Sequence, residues 1–140
     1  MPSLKTYDLF ISHAWSYDQH YYGVVRFLDD ANNFHYRNYS APEHKPVIAP
    51  GTRARDKRVR DALYNKIRPV NCVLVIAAMY VSHREWIQAE LDLASELDKP
   101  VIGIAPLGQI NLPEPVSRIA NEVVRWRQDS IIDAIRYWSI

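Results

Sequence analysis

Short, continuously apolar runs alternate along this chain with stretches whose hydrophobic positions recur every three or four residues, and that alternation predicts the elements. YDLFIS (Tyr7 to Ser12) reads as a first strand. A helix follows from Tyr17 to Ala31, with Tyr21, Val24, Val25 and Leu28 on one face. FHYRNYS (Phe34 to Ser40) alternates as a second strand, and a Pro-containing loop, APEHKPVIAPGT, leads to a helix starting near Thr52 or Arg53. NCVLVIAAMYV (Asn71 to Val81) is apolar throughout, the pattern of a strand buried on both faces. KPVIGIAPLG supplies a fourth strand, EVVRW (Glu122 to Trp126) a fifth and SIIDAIRYW a closing helix. This βα alternation predicts an α/β fold: a flavodoxin-like, doubly wound, five-stranded parallel sheet with helices on both faces. The expected strand order is 2-1-3-4-5, which opens a crevice at the carboxyl ends of strands 1 and 3, where the winding reverses.

One position breaks the pattern. In SHREWIQAELDLASEL (Ser82 to Leu97) a helical wheel puts Trp86, Ile87, Leu91, Leu93, Ala94 and Leu97 on one side, and Glu85, Gln88, Asp92, Ser95 and Glu96 opposite. Glu90 projects near the middle of the apolar side, where the spacing calls for Leu or Ala. Either the helix meets a wet crevice there or the carboxylate is partly desolvated. The helix is expected to open with Ser82 and Glu85 as an S-x-x-E capping box, which would set its phase and the aim of Glu90. The plainer reading of Glu90 is an ion pair with a Lys or Arg of a neighbouring element, and that of Trp86 is a core residue.

Composition narrows the setting. At 140 residues and 48% hydrophobic content the chain suits one globular domain, residues 1–140. Seventeen basic residues against sixteen acidic ones leave a formal charge of +1, which gives no general pull toward nucleic acid or anionic lipid. The single Cys, Cys72, lies in the third apolar run and reads as core, so no intrachain disulfide or Cys-based zinc site is expected. With no signal-like N-terminus and no apolar run near membrane-spanning length, the expected location is cytoplasmic.

The spacing supports none of the common cofactor motifs. G-x-x-x-x-G-K-[ST], G-x-G-x-x-G and H-E-x-x-H are absent, and His13, His20, His35, His44 and His83 show no ligand-like pairing, so no metal site is expected. The loop SHAWSYD faces the predicted crevice. Ser12, His13 and Ala14 are candidate binding positions there, and Trp15 could stack on a flat ring; Met79 to Ser82 face the crevice from the other wall, with Ser82 a candidate contact and Trp86, on the helix that follows, a candidate ligand platform. The plainer readings are a solvated His and a Ser that ends the strand. The basic segment RARDKRVRDALY (Arg53 to Tyr64) puts Arg53, Lys57, Arg60 and Tyr64 on one stripe, which by default is a solvated face and otherwise a pyrophosphate or subunit contact.

YDLFISHAW, RNYS, VLVIAAMYVS and above all the S-x-x-x-W-I-x-x-E-L of Ser82 to Leu91 resemble the TIR-domain superfamily, and within it the bacterial TIR-like domains of Thoeris-type anti-phage systems. The resemblance extends to DKPVIGIAPLG and WRQDSIIDAI and so covers nearly the whole chain. It implies an enzyme that consumes NAD⁺ as a substrate, without a separate cofactor. Such an enzyme cleaves the bond between nicotinamide and ribose and gives an ADP-ribose-derived product, in some members cyclic, that signals to a separate effector protein. It also implies that Glu90 is the catalytic residue, with Trp86 one turn earlier, and that the domains self-associate. Elementary chemistry is compatible with a single carboxylate: nicotinamide leaves as a neutral molecule from a cationic pyridinium, so no general acid is required, and an oxocarbenium-like ribose is what remains to be stabilised. Two other readings stand beside this one: a non-catalytic TIR-like interaction module, and a domain that binds a nucleotide second messenger without cleaving it.

Overall fold

The computed structural model describes residues 5–12, 19–40, 57–77, 84–105 and 114–140. In chain order its elements are β1 (Thr6–Ser12), α1 (Gln19–Asp30), β2 (His35–Asn38), α2 (Lys57–Ile67), β3 (Cys72–Ile76), α3 (Arg84–Glu96), β4 (Val101–Ile104), α4 (Glu114–Ile119), β5 (Glu122–Val124) and α5 (Gln128–Trp138). The five strands form one sheet in the order β2-β1-β3-β4-β5, and every neighbouring pair is parallel. This is the predicted flavodoxin-like order. α1 packs with α5, while α3 packs with α2 and α4.

Side-chain burial follows position in the sheet. All of β3 (CVLVI) and all of β4 (VIGI) are buried, as strands covered by helices on both faces must be, whereas the edge strands β2 and β5 are short and mostly exposed. β1 is exposed where it begins and buried over its last four residues, Leu9 to Ser12, so the strand enters the core as it approaches its carboxyl end. The third strand is shorter than its apolar run. Pairing stops at Ile76, opposite Ile104, and Ala77 already has helical conformation. A strand lasts only as long as its neighbours offer hydrogen bonds, which hydrophobicity does not record. The rest of that run, residues 78–81, lies outside the described residues. The six-residue α4 is too short to declare itself by periodicity and was not anticipated.

Local hydrogen bonds fix the ends of these elements. Asn71, just before β3, accepts the Asp8 N–H on its side-chain oxygen (2.8 Å), and Asn121, just before β5, does the same for Val101 (2.9 Å). Asn71 thereby registers the start of β3 against the third residue of β1, and Asn121 the start of β5 against that of β4. At its C-terminus α3 closes with a Schellman arrangement: the Lys99 N–H reaches the Ala94 carbonyl (2.8 Å), the Asp98 N–H reaches Ser95 (3.1 Å), and Asp98 takes the left-handed conformation at φ 55°. Asp tolerates that region better than most side chains because it is short and polar.

Gly23 has a packing reason. A Cβ placed on it would meet Cζ2 of Trp126 at 2.7 Å. Trp126 also stacks edge-on against Phe27 and so joins α1 to the segment between β5 and α5. Gly23→Ala should therefore lower the melting temperature, although Ala is the better helix former by ~1 kcal/mol. In a Trp126→Ala background, where the clash is gone, the same change should raise it, and thermal melts of the four proteins would check both signs.

Candidate active site

The irregular position in the apolar face of α3 has a defined environment. Glu90 is 2% exposed and is flanked on its helix by the buried Ile87, Leu91 and Ala94. Of the two sequence-level options for its surroundings, the structure shows the desolvated one. Its carboxyl points to the carboxyl end of β1, where the fully buried Ser12 donates a hydrogen bond from Oγ to Glu90 Oε1 at 2.9 Å. Ser12 lies opposite Val75 in the β1–β3 ladder, beside the switch point of the sheet. Burial pushes the Glu90 carboxyl up to about 8, and the hydrogen bond from Ser12, which favours the ionised form, acts in the opposite direction.

A second serine supports the first. Ser40 follows β2, and its buried Oγ accepts the Ile11 N–H and donates to the Ile11 carbonyl, both at 2.9 Å. Its own N–H is held by Asn38 Oδ1 (2.9 Å), and Asn38 Nδ2 in turn donates to the Tyr21 hydroxyl (3.0 Å). Among the described residues Ser12, Ser40 and Glu90 are the buried polar or charged side chains, and all three meet at the last two residues of β1. Sequence reading missed Ser40, which looked like the end of a strand; a small polar residue after a strand carries no periodic signal.

Of the other candidate positions, Trp86 lies on α3 one turn before Glu90, with its side chain outside the described residues, as are His13, Ala14, Trp15 and Ser82 and with Ser82 the expected capping box. In the basic segment Lys57 is exposed and Arg60 pairs with Glu96 across α2 and α3, an arrangement typical of a solvated face; Arg53 is outside the described residues. Cys72 is buried in β3, and burial pushes its thiol up to about 12, so it is a core residue and not a thiolate. Among the described residues no group of three or more His, Cys, Asp or Glu side chains is placed to hold a metal ion, and no helix is long and apolar enough to cross a membrane.

The family profile of the Thoeris protein ThsB, TIR-like domain, matches residues 10–110. The chain belongs to this family. The matched span runs from β1 through β4 and includes Ser12, Ser40 and Glu90. Among solved structures, the Clostridium botulinum CMP N-glycosidase BcmB is similar over 92% of this chain and 98% of its own, with a TM-score of 0.51 and 12% identity, a likeness of fold. No curated protein matches the chain.

Chemically, the site offers a carboxyl in low dielectric with a hydroxyl donor on one oxygen. As the carboxylate it is a concentrated negative charge facing little competing water, suited to stabilising a cationic centre. As the neutral acid it can donate a hydrogen bond.

Proposed function

We propose that this ThsB-family domain cleaves the N-glycosidic bond between nicotinamide and ribose in NAD⁺, with Glu90 as its main catalytic group. The observation that carries the reading is the buried Glu90 carboxyl beside the carboxyl end of β1, at the switch point where doubly wound sheets bind nucleotides. Family membership supports it, and so does the likeness in fold to a protein described as a CMP N-glycosidase, since both point to N-glycosidic chemistry on a nucleotide. In the reaction the bond from C1′ to the pyridinium nitrogen breaks and its electron pair neutralises the nicotinamide. Positive charge grows on the ribose, and the Glu90 carboxylate stabilises it until a nucleophile adds to C1′: an acceptor hydroxyl, which then loses its proton, or the lone pair of a ring nitrogen, which takes over the positive charge. The product is an ADP-ribose derivative, linear or cyclised, that signals to a separate effector protein in anti-phage defence. The domain works in the cytoplasm, and self-association completes its site.

The direct test incubates the purified protein with NAD⁺, and separately with CMP, and follows base release and nucleotide products by chromatography with mass detection. Nicotinamide release establishes the reading, and the product mass tells hydrolysis from cyclisation. Release of cytosine alone would replace NAD⁺ by a pyrimidine nucleotide as the substrate, and release of neither base would favour the interaction-module reading.

The pH dependence has a definite sign. If the carboxylate is the working form and its pKa in the free protein is about 8, kcat/KM should climb about tenfold per pH unit below that value and level off above it. A profile that is flat between about pH 6 and pH 9, a range in which ordinary carboxylates are fully ionised, would exclude ionisation of Glu90 as the controlling step.

A further inference from the structure

The geometry points to Ser12 and Ser40 as positioning residues for Glu90: Ser40 locks the backbone of Ile11 at the end of β1, and Ser12, the next residue, holds the Glu90 carboxyl by Oε1. The turnover part of this inference rests on the proposed NAD⁺ reaction; the carboxyl-positioning part does not.

β1 keeps its outer ladder with β2 as far as Leu9, opposite Asn38, and the Tyr39 N–H still reaches the Leu9 carbonyl (2.8 Å). The N–H and carbonyl of Ile11 come next on the same side of the strand, beyond the last residue of β2. The Ser40 hydroxyl meets both, accepting from one and donating to the other. It does with a side chain what another strand residue would have done with its backbone. Ile11 is fully buried, so losing this hydroxyl would leave backbone groups there with poorer bonding and would free the strand end to turn. Ser12 would turn with it, because a strand's side chains take their direction from the local backbone.

The Ser12 hydroxyl has one proton to donate, and Glu90 Oε1 receives it. While it holds the carboxyl it cannot also donate to a ligand phosphate or carboxamide, so its part in the site runs through Glu90. The hydrogen bond that Glu90 receives from Ser12 is to Oε1. The charged groups on the surrounding elements are engaged elsewhere or lie at the surface: Asp8 of β1 pairs with Arg37, Arg60 of α2 with Glu96 at the far end of α3, and Arg118 of α4 with Glu114, while β3 has no charged residue. Exposed Lys57 and Asp61 and the half-buried Lys66 complete the described charged groups of α2 beside Arg60. Burying three polar side chains is unfavourable unless each is bonded, and here Ser12 bonds the carboxyl directly while Ser40 bonds the backbone one residue before Ser12, which is how a site holds a catalytic group against an apolar wall.

The test labels the whole chain with ¹³C at the glutamate side-chain carboxyls and titrates it by NMR, with the Glu90 signal identified by its loss in Glu90→Gln. Ser12→Ala should raise the Glu90 midpoint by about one pH unit or more, as loss of a hydrogen bond to a charged group requires. Ser40→Ala should shift it in the same direction by less, and Ser12→Thr, which keeps the hydroxyl, should leave it near the wild-type value. With NAD⁺, Ser12→Ala should lose at least about tenfold in kcat while KM changes by no more than about twofold, the signature of an interaction that matters in the transition state. Unchanged midpoints in Ser12→Ala and Ser40→Ala, or a loss lying wholly in KM, would overturn the inference and make Ser12 a substrate contact. If Ser12→Ala does not fold, Ser12→Cys, of similar size with a weak donor, must show the raised midpoint instead. Shifted midpoints in a protein that leaves NAD⁺ intact would uphold the positioning roles and discard the NAD⁺ reaction.

Discussion

Glu90→Gln should lower nicotinamide release from NAD⁺ by ~10³-fold or more and leave a folded protein. Removing one neutral hydrogen-bond donor from a preorganised site costs 10²- to 10³-fold in well-studied enzymes, and here a whole charge is removed from an apolar setting. The amide has nearly the shape of the carboxyl and its oxygen can still accept the Ser12 hydrogen bond, so the change isolates charge from packing. Glu90→Asp keeps the charge but withdraws it by one methylene, and should recover only part of the activity because placement within about 0.5 Å governs such sites. Single-turnover nicotinamide release by the variants is the measurement. A Gln variant with a tenth of wild-type activity would remove Glu90 from the chemistry.

The same substitution should stabilise the fold, increasingly so as the pH rises. Unfolded, the Glu90 carboxyl ionises near 4.5; folded, it ionises near 8. Between these values the folded protein holds a proton that the unfolded chain has released, so the stabilisation linked to Glu90 is complete at low pH and is lost as the pH climbs toward 8. Gln does not titrate, and its own packing costs are independent of pH. The difference in unfolding free energy between Glu90→Gln and wild type should therefore grow in favour of Gln by up to about 1.4 kcal/mol per pH unit across this window, reaching several kcal/mol. Urea unfolding of both proteins at pH 5 and pH 8 reads that double difference. An equal difference at the two pH values would mean that the folded carboxyl titrates normally. Read together, the two substitution results describe a site that gives up stability for function, a common trade where a charge is placed in a dry cleft.

How much of this was legible in the sequence varies from element to element. β3 and β4 announced themselves because strands covered on both faces need unbroken apolar runs, and CVLVI and VIGI provide them. The strand order followed from the alternation of strands and helices, since right-handed crossovers leave few ways to wind five short parallel strands. Glu90 was visible as a single break in the period of α3, and the S-x-x-x-W-I-x-x-E-L pattern around it carried the family.

Other features depended on contacts made across long stretches of chain. Whether Glu90 was solvated or dry could not be read from a helical wheel, which records direction but not what lies there; the fold put the carboxyl against Ser12, 78 residues away in sequence. The end of β3 at Ile76 was set by where β1 and β4 stop pairing, and Ser40 gained its part because β2 ends before β1 does. Periodicity is a local property and suffices to specify which elements form and which faces are buried. The pairing of Ser12 with Glu90, and the bracing of Ile11 by Ser40, arise only when three distant segments share one desolvated corner of the sheet, where each polar group has to find its partner.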